Sequence, residues 1–239
     1  MTAPWRPAAD RLVAELRSVF GNRLRSVVAY GSHVEEHGDG PITCLALVTG
    51  ITAGDLEACA KLSHGWQRER IATPLLLPED EFRRSLDAFP LEYGEMLRAH
   101  TLIFGVNPFD HVTIDPADLR RACETQIKSH LLHLRQGFIE SGGTPRAVAG
   151  LVTASAPAFG ALLRNIARLN GSSGASTTKD RAAATRDGAR LAQIPDAVVA
   201  EILSLERPSG VSTTDAAKLF PDYLAAVEQL ARVIDTWGT

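Results

Sequence analysis

Three cysteines, Cys44, Cys59 and Cys123, are all that this chain of 239 residues contains. They are too few and too far apart for a disulfide framework or a zinc ribbon, and they suit a reducing compartment. An excess of charge is also lacking. The formal net charge of −3 gives no global attraction to nucleic acid or to an anionic membrane, so neither is expected as a partner. No apolar window approaches the length of a membrane span, and residues 1–12 hold no apolar segment of the secretory kind. The expectation is a soluble, cytoplasmic protein without internal repeats. What is present is ordinary for a globular chain: 45% hydrophobic and 22% charged residues, enough to build a core without covalent staples.

Periodicity sets the order of elements. Leu12, Val13, Leu16 and Phe20 form one stripe of a helix over residues 8–20, stopped by Gly21-Asn22. Apolar, β-branched runs bounded by Gly and Pro predict strands at 26–30 and 42–48. A second amphipathic helix starts near residue 55, with Leu56, Cys59, Ala60 and Leu62 expected inward. Residues 71–77 (IATPLLL) predict a third strand, which Pro74 assigns to an edge or a bulge. Pro78, followed by Glu79, Asp80 and Glu81, opens a further helix that Phe89-Pro90 breaks. Residues 91–105 read as a helix running into a short apolar segment ended by Gly105. From Asp115 onward no strand is expected. Helices are predicted at 116–139, 145–169, 180–191, 196–205 and 214–237, with the Ser/Gly-rich stretch 170–179 as the main loop. This pattern predicts an α/β domain over residues 1–110 and a helical bundle over 111–239.

Residues 24–49, LRSVVAYGSHVEEHGDGPITCLALVT, hold a strand, a sharp Gly31-Ser32 turn and a second strand. This layout resembles the opening of the nucleotidyltransferase superfamily, with its polymerase-beta-like fold. The resemblance implies a small mixed sheet with helices, and a Gly-Ser turn that approaches the phosphates of a nucleoside triphosphate. It also implies two carboxylates at i and i+2 on the second strand, because alternate residues of a strand share a face. A third carboxylate comes from a neighbouring strand, and together they hold two Mg²⁺ ions. Gly31 and Ser32 are in place. Between Pro41 and Gly54, however, there is no Asp or Glu, and Ile42, Thr43, Cys44 and Leu45 occupy the positions in question. The third strand has no acid either. The expectation is a degenerate metal site, with no catalytic residue and no cofactor; Mg²⁺ enters only if the chain is an enzyme after all. Ser32-x-x-Glu35 also reads as a capping box, and Glu35, Glu36 and Asp39 would repel a triphosphate.

The resemblance continues into PLLLPEDEFRRSLDAFPLEYGEMLRAHTLIFGVNPF, which is similar to a bacterial subgroup of nucleotidyltransferase-domain proteins. The matching positions are Phe89, Pro90, Leu91, Glu92, Tyr93, His100, Gly105, Asn107 and Pro108, followed by Leu131, Leu132, Leu134, Arg135 and Gln136 on the first bundle helix. It spans residues 24–170 and, more loosely, the remainder. Gly31, Ser32, Glu92, His100 and Arg135 are the candidate ligand-binding residues. Glu92 and His100 lie eight residues apart on what reads as one helix. His130 and His133 have the i, i+3 spacing of two metal ligands but read better as helix surface. His33 and His37, with Glu35 and Asp39, offer a weaker cluster. Arg120, Arg121, Lys128 and Arg135 form a basic stripe, read as a solvated face or as a partner for Glu35 and Glu36. Cys44 reads as a small buried hydrophobe.

Three functions are consistent with this pattern. The first is a catalytically inactive nucleotidyltransferase-like protein that binds a small ligand or a protein partner in the cleft between its domains. The second is an active Mg²⁺-dependent nucleotidyltransferase using Glu35, Asp39 and Glu92. The third is a structural or regulatory module that associates, for instance as a homodimer, through its bundle.

Overall fold

A computed structural model describes residues 3–31, 34, 40–170, 178–205 and 217–237. The chain divides into two compact units, Met1–Asp115 and Pro116–Thr239.

The first unit is built on a four-stranded mixed sheet of order β3-β2-β1-β4. Its strands are β1 (Leu24–Tyr30), β2 (Thr43–Val48), β3 (Leu75–Pro78) and β4 (His100–Gly105). β1 pairs antiparallel with both β2 and β4, and β3 runs parallel to β2 at the edge. β1 reads as an almost continuous apolar run because both of its faces are covered. Val27 and Ala29 face a core made by α1 (Arg6–Phe20) and α2 (Ala53–Arg68), where Leu12, Leu16, Cys59 and Trp66 are buried. Val28 faces the opposite core, with Leu45 and Leu47, against Phe82 of α3 (Glu79–Arg84), Tyr93 and Met96 of α4 (Pro90–Arg98), and Phe109. Phe82 anchors that second core, meeting the rings of Tyr93 and Phe109 edge-on at 5.0 and 5.7 Å.

Two expectations about this unit need correcting. The inner face of α2 is Asp55, Cys59 and Trp66, while Leu56 is 51% exposed and Ala60 is also outside. Asp55 is buried because it closes a capping box with Thr52 and takes a bidentate ion pair from Arg23, at 2.8 and 2.6 Å. The second correction concerns His100, which opens β4 in the short apolar segment 100–105 rather than lying on the helix of Glu92. No Pro or Gly marks the break. Ala99 simply turns extended (φ −138, ψ 85) after α4 ends at Arg98, and its successors complete the ladder beside β1. Gly105 closes that ladder at φ +80, where a Cβ would lie 1.9 Å from the Arg25 carbonyl oxygen.

The second unit is helical among its described residues: α5 (Pro116–Glu140), α6 (Pro145–Leu169), α7 (Thr178–Leu191), α8 (Asp196–Ser204) and α9 (Phe220–Thr236). Its core includes Ile127, Leu134, Phe159, Leu163, Ile166, Ile202, Tyr223 and Leu230, all within 3% of full burial. Against the expectation that no apolar window approaches a membrane span, α6 is the one described helix long and apolar enough to cross a membrane. Eleven of its residues are buried within the protein, which is how a central bundle helix acquires the same composition. α7 crosses α6 so closely that a Cβ on Gly188 would meet the Leu163 carbonyl oxygen at 1.9 Å.

Candidate functional site

The C-terminal end of β1 is where the sequence places its turn. Gly31 sits at φ +83, a conformation that L side chains resist, and a Cβ there would come within 3.3 Å of Thr43 Oγ1. Its N–H donates to the Ala99 carbonyl at 3.3 Å, and its own carbonyl accepts from Val34 N at 3.0 Å. Glycine at this position is therefore demanded by the backbone. Ser32 lies outside the described residues, as do His33, Glu35, Glu36, His37 and Asp39.

Beside the turn, Tyr30 pairs with Thr43 across β1–β2 and with His100 across β1–β4. Thr43 Oγ1 donates to the Tyr30 carbonyl at 2.6 Å, so the hydroxyl is spent on tying the two strands together. The strand alternation then tests both registers for an acid-x-acid pair. Ile42 and Cys44 turn into the core beneath α1 and α2. On the other face, Thr43 is followed by Leu45, which is fully buried against the Phe82 and Tyr93 cluster. Neither face offers a carboxylate, and the hydroxyl available is already engaged. Burial pushes the Cys44 thiol up to about 12, so it stays protonated and is neither a nucleophile nor a thiolate ligand at neutral pH. Among the described residues no group of three or more His, Cys, Asp or Glu side chains could hold a metal ion. The described residues do not fit a two-metal centre.

The β1–β4 ladder brings His100 next to Gly31. Its Nδ1 donates to the carbonyls of Met96 (3.0 Å) and Leu97 (3.2 Å), and its Nε2 faces Asn107 Oδ1 at 3.1 Å. Asn107 is itself fixed, accepting from Phe109 N and donating to Asp110 Oδ1. The imidazole also lies against the Phe109 ring, with centroids 4.6 Å apart. His100 thus clamps the end of α4 to the turn after β4. It opens β4 and does not share a helix with Glu92, which is exposed on α4.

Arg135 belongs to the helical unit, where it pairs with Glu228 of α9 at 2.8 Å. The rest of the basic stripe is paired inside that unit as well: Arg120 with Glu124, Arg121 with Asp118, and Lys128 with both Glu124 and Asp235. His130 is half-buried, while His133 is exposed as expected. Its Nε2 shares a 2.8 Å hydrogen bond with the Tyr223 hydroxyl, and burial lowers its pKa, with His133 adding to the effect. Sequence reasoning missed that bond because nothing in the spacing of α5 announces a partner 93 residues away. The Arg23–Asp55 pair was findable in part, since Thr52-x-x-Asp55 is a capping-box pattern.

No known family profile matches the chain, and no curated protein matches it in sequence. Among solved structures it is similar to spectinomycin adenyltransferase AAD(9) from Enterococcus faecialis, determined with ATP and spectinomycin. The likeness has a TM-score of 0.56 at 16% identity, and covers 94% of this chain and 98% of that one. The chain therefore shares the fold of that structure, here an α/β sheet unit followed by helices, without a carboxylate on its second strand.

Proposed function

We propose that this chain is a catalytically silent member of the nucleotidyltransferase fold that binds a small ligand or a protein partner near the Gly31 turn. The observation that carries the reading is the composition of β2. Both of its faces carry apolar or already hydrogen-bonded side chains where the fold's chemistry needs oxygen ligands. Phosphoryl-type transfer relies on positioning and on charge neutralisation by metal ions, so a strand without acids removes the main catalytic device while leaving the turn intact. Three free, buried cysteines favour a reducing compartment, and we place the protein in the cytoplasm on that basis.

The test is a thermal-shift titration with the four nucleoside triphosphates, with and without Mg²⁺. A ligand at a hundred times its dissociation constant adds roughly 2.7 kcal/mol to stability. Stabilisation without Mg²⁺, and without turnover, is the expected result for a nucleotide-binding pseudoenzyme. No shift with any nucleotide directs the search to other metabolites or a protein partner. Mg²⁺-dependent consumption of a nucleotide that Glu92→Gln abolishes would sink the reading and establish an enzyme.

A further inference from the structure

The bundle covers one side of α5 and leaves the other open. Cys123, Ile127 and Leu134 are buried within the unit. At 3.6 residues per turn the opposite side carries Leu132 and Ile139, which are 64% and 78% exposed. Among the described large apolar residues only Val106, at 75%, is comparably open. Two such residues, one heptad apart on one helix, differ from the scattered single exposures that any surface carries.

The open side has a heptad order. Thr125, Leu132 and Ile139 recur every seven residues, with Ala122, Ser129 and Gln136 between them, which is the alternating three-and-four spacing of a coiled-coil seam. Ala122 is half-buried and the other five are exposed. With Thr125, Leu132 and Ile139 at d and the other three at a, the g positions are Arg121, Lys128 and Arg135. The e positions are Gln126, His133 and Glu140. This asymmetry selects an orientation for a second α5. In an antiparallel pair g meets g, so three basic side chains would face three more. In a parallel pair each g meets the e position five residues further on. Arg135 then lies opposite Glu140 of the other copy, Lys128 opposite His133, and Arg121 opposite Gln126. Arg135 spends an Nη2 donor on Glu228 of α9, but a guanidinium has five donors in its fork and can serve both acids.

We infer that α5 is a dimerisation helix, pairing in parallel with α5 of a second copy of this chain. The twofold axis runs along the seam, so Leu132 and Ile139 each meet their own counterpart and apolar surface is matched with apolar surface. Ser129 and Gln136, polar at a positions, hold the register at a cost in strength. The seam is under three heptads long, which makes the association weak and concentration-dependent.

Sedimentation of the full chain, at concentrations up to about 1 mM, is the test. The mass should rise from the 25.7 kDa of one copy towards twice that value, with a dissociation constant on the order of 100 µM. Leu132→Glu and Ile139→Glu lie at exposed positions, so the circular dichroism spectrum and melting point should hold. Each should weaken association by ~10-fold or more. Orientation is read from single-cysteine variants, because the three native thiols are buried. Ile139→Cys and Thr125→Cys should each form a disulfide with their own counterpart ~10-fold faster than His64→Cys, at an exposed position of α2. A chain that stays monomeric at the highest concentration would overturn the inference and leave the seam to the helix of a different protein. So would association that neither Glu variant weakens, or a Thr125→Cys and Ile139→Cys mixture that cross-links preferentially between the two variants, the antiparallel result. None of these outcomes depends on what binds near Gly31.

Discussion

Leu45 shows how the second strand is built where the resemblance implies a carboxylate. It shares a face of β2 with Thr43 and is fully buried among Phe82, Tyr93 and Met96. A carboxylate placed there would be stripped of water in an aromatic cluster. Leu45→Asp is therefore expected to cost on the order of 3 kcal/mol or more, and to unfold the sheet unit before it restores any chemistry. Chemical denaturation of the variant, followed by Trp66 fluorescence, measures the loss. A stable Leu45→Asp protein that gained Mg²⁺ affinity would mean the face is wetter than its packing implies. Thr43 is the milder position, half-buried and bound to the Tyr30 carbonyl. The missing acids were legible in the sequence, because no register of residues 42–48 contains one. That the vacated positions had been absorbed into a packed core was not legible, since a run such as TCLALV reads alike in a closed and an open site.

At the scale of elements, the clearest signals came from runs buried on both faces. β1 and β2 announce themselves as apolar strands, and α1 shows its stripe, with Leu12, Leu16 and Phe20 inside. β4 was hidden. Its side chains are only partly buried (His100, Thr101, Ile103 and Phe104 half-covered), so the alternation is blurred. Its outer edge is guarded instead by Arg6, whose guanidinium donates to the carbonyls of Leu102 and Ile103 at 3.4 and 3.3 Å. Such cover protects an edge from pairing with another chain. In α2, the capping pattern was present in the sequence, but propensity favoured Leu56 as the inward residue. The Arg23–Asp55 pair rotated the face the other way. Close helix approach is equally silent in composition. Gly188 and Gly150 are both helical glycines, yet a Cβ on Gly188 collides with the Leu163 backbone, whereas one on Gly150 meets nothing within 4 Å. Gly188→Ala should destabilise the bundle by ~2–4 kcal/mol through separation of α7 from α6. Gly150→Ala should be neutral or stabilising by up to ~1 kcal/mol from helix propensity. Melting points of the two variants distinguish them, and similar values would show that α7 moves aside at little cost.

For the whole molecule, the two units differ in how they meet acid. In the sheet unit, the Arg23 guanidinium, helped by the backbone and hydroxyl of Thr52, holds the Asp55 carboxyl well below the usual carboxylate range. A depressed carboxylate contributes stability that is present above its unfolded value of about 3.9 and is lost as pH falls towards the folded one. In the helical unit, burial lowers the His130 pKa. Its neighbours are Tyr223 of α9, whose phenol burial pushes upward, the Phe159 ring of α6, and His133 of α5, whose charge opposes a second one. The unfolded chain therefore binds this proton more readily than the folded one. Stability is complete above the ordinary imidazole value of about 6.5 and declines as pH drops below it. The helical unit should weaken first on acidification, and the sheet unit only near the carboxylate range. Urea denaturation of a Trp237→Phe chain, with Trp66 reporting the sheet unit and far-ultraviolet circular dichroism dominated by the helices, separates the two transitions between about pH 7.5 and 5. His130→Gln keeps a hydrogen-bonding group towards Tyr223 and removes the titration, so its circular dichroism midpoint should lose most of the pH slope in that interval. Asp55→Asn should instead lower the Trp66 midpoint at neutral pH and flatten it in the acid range. If the Trp66 transition moved first, or if His130→Gln kept the full slope, the imidazole would not be the group that sets the acid response of the bundle.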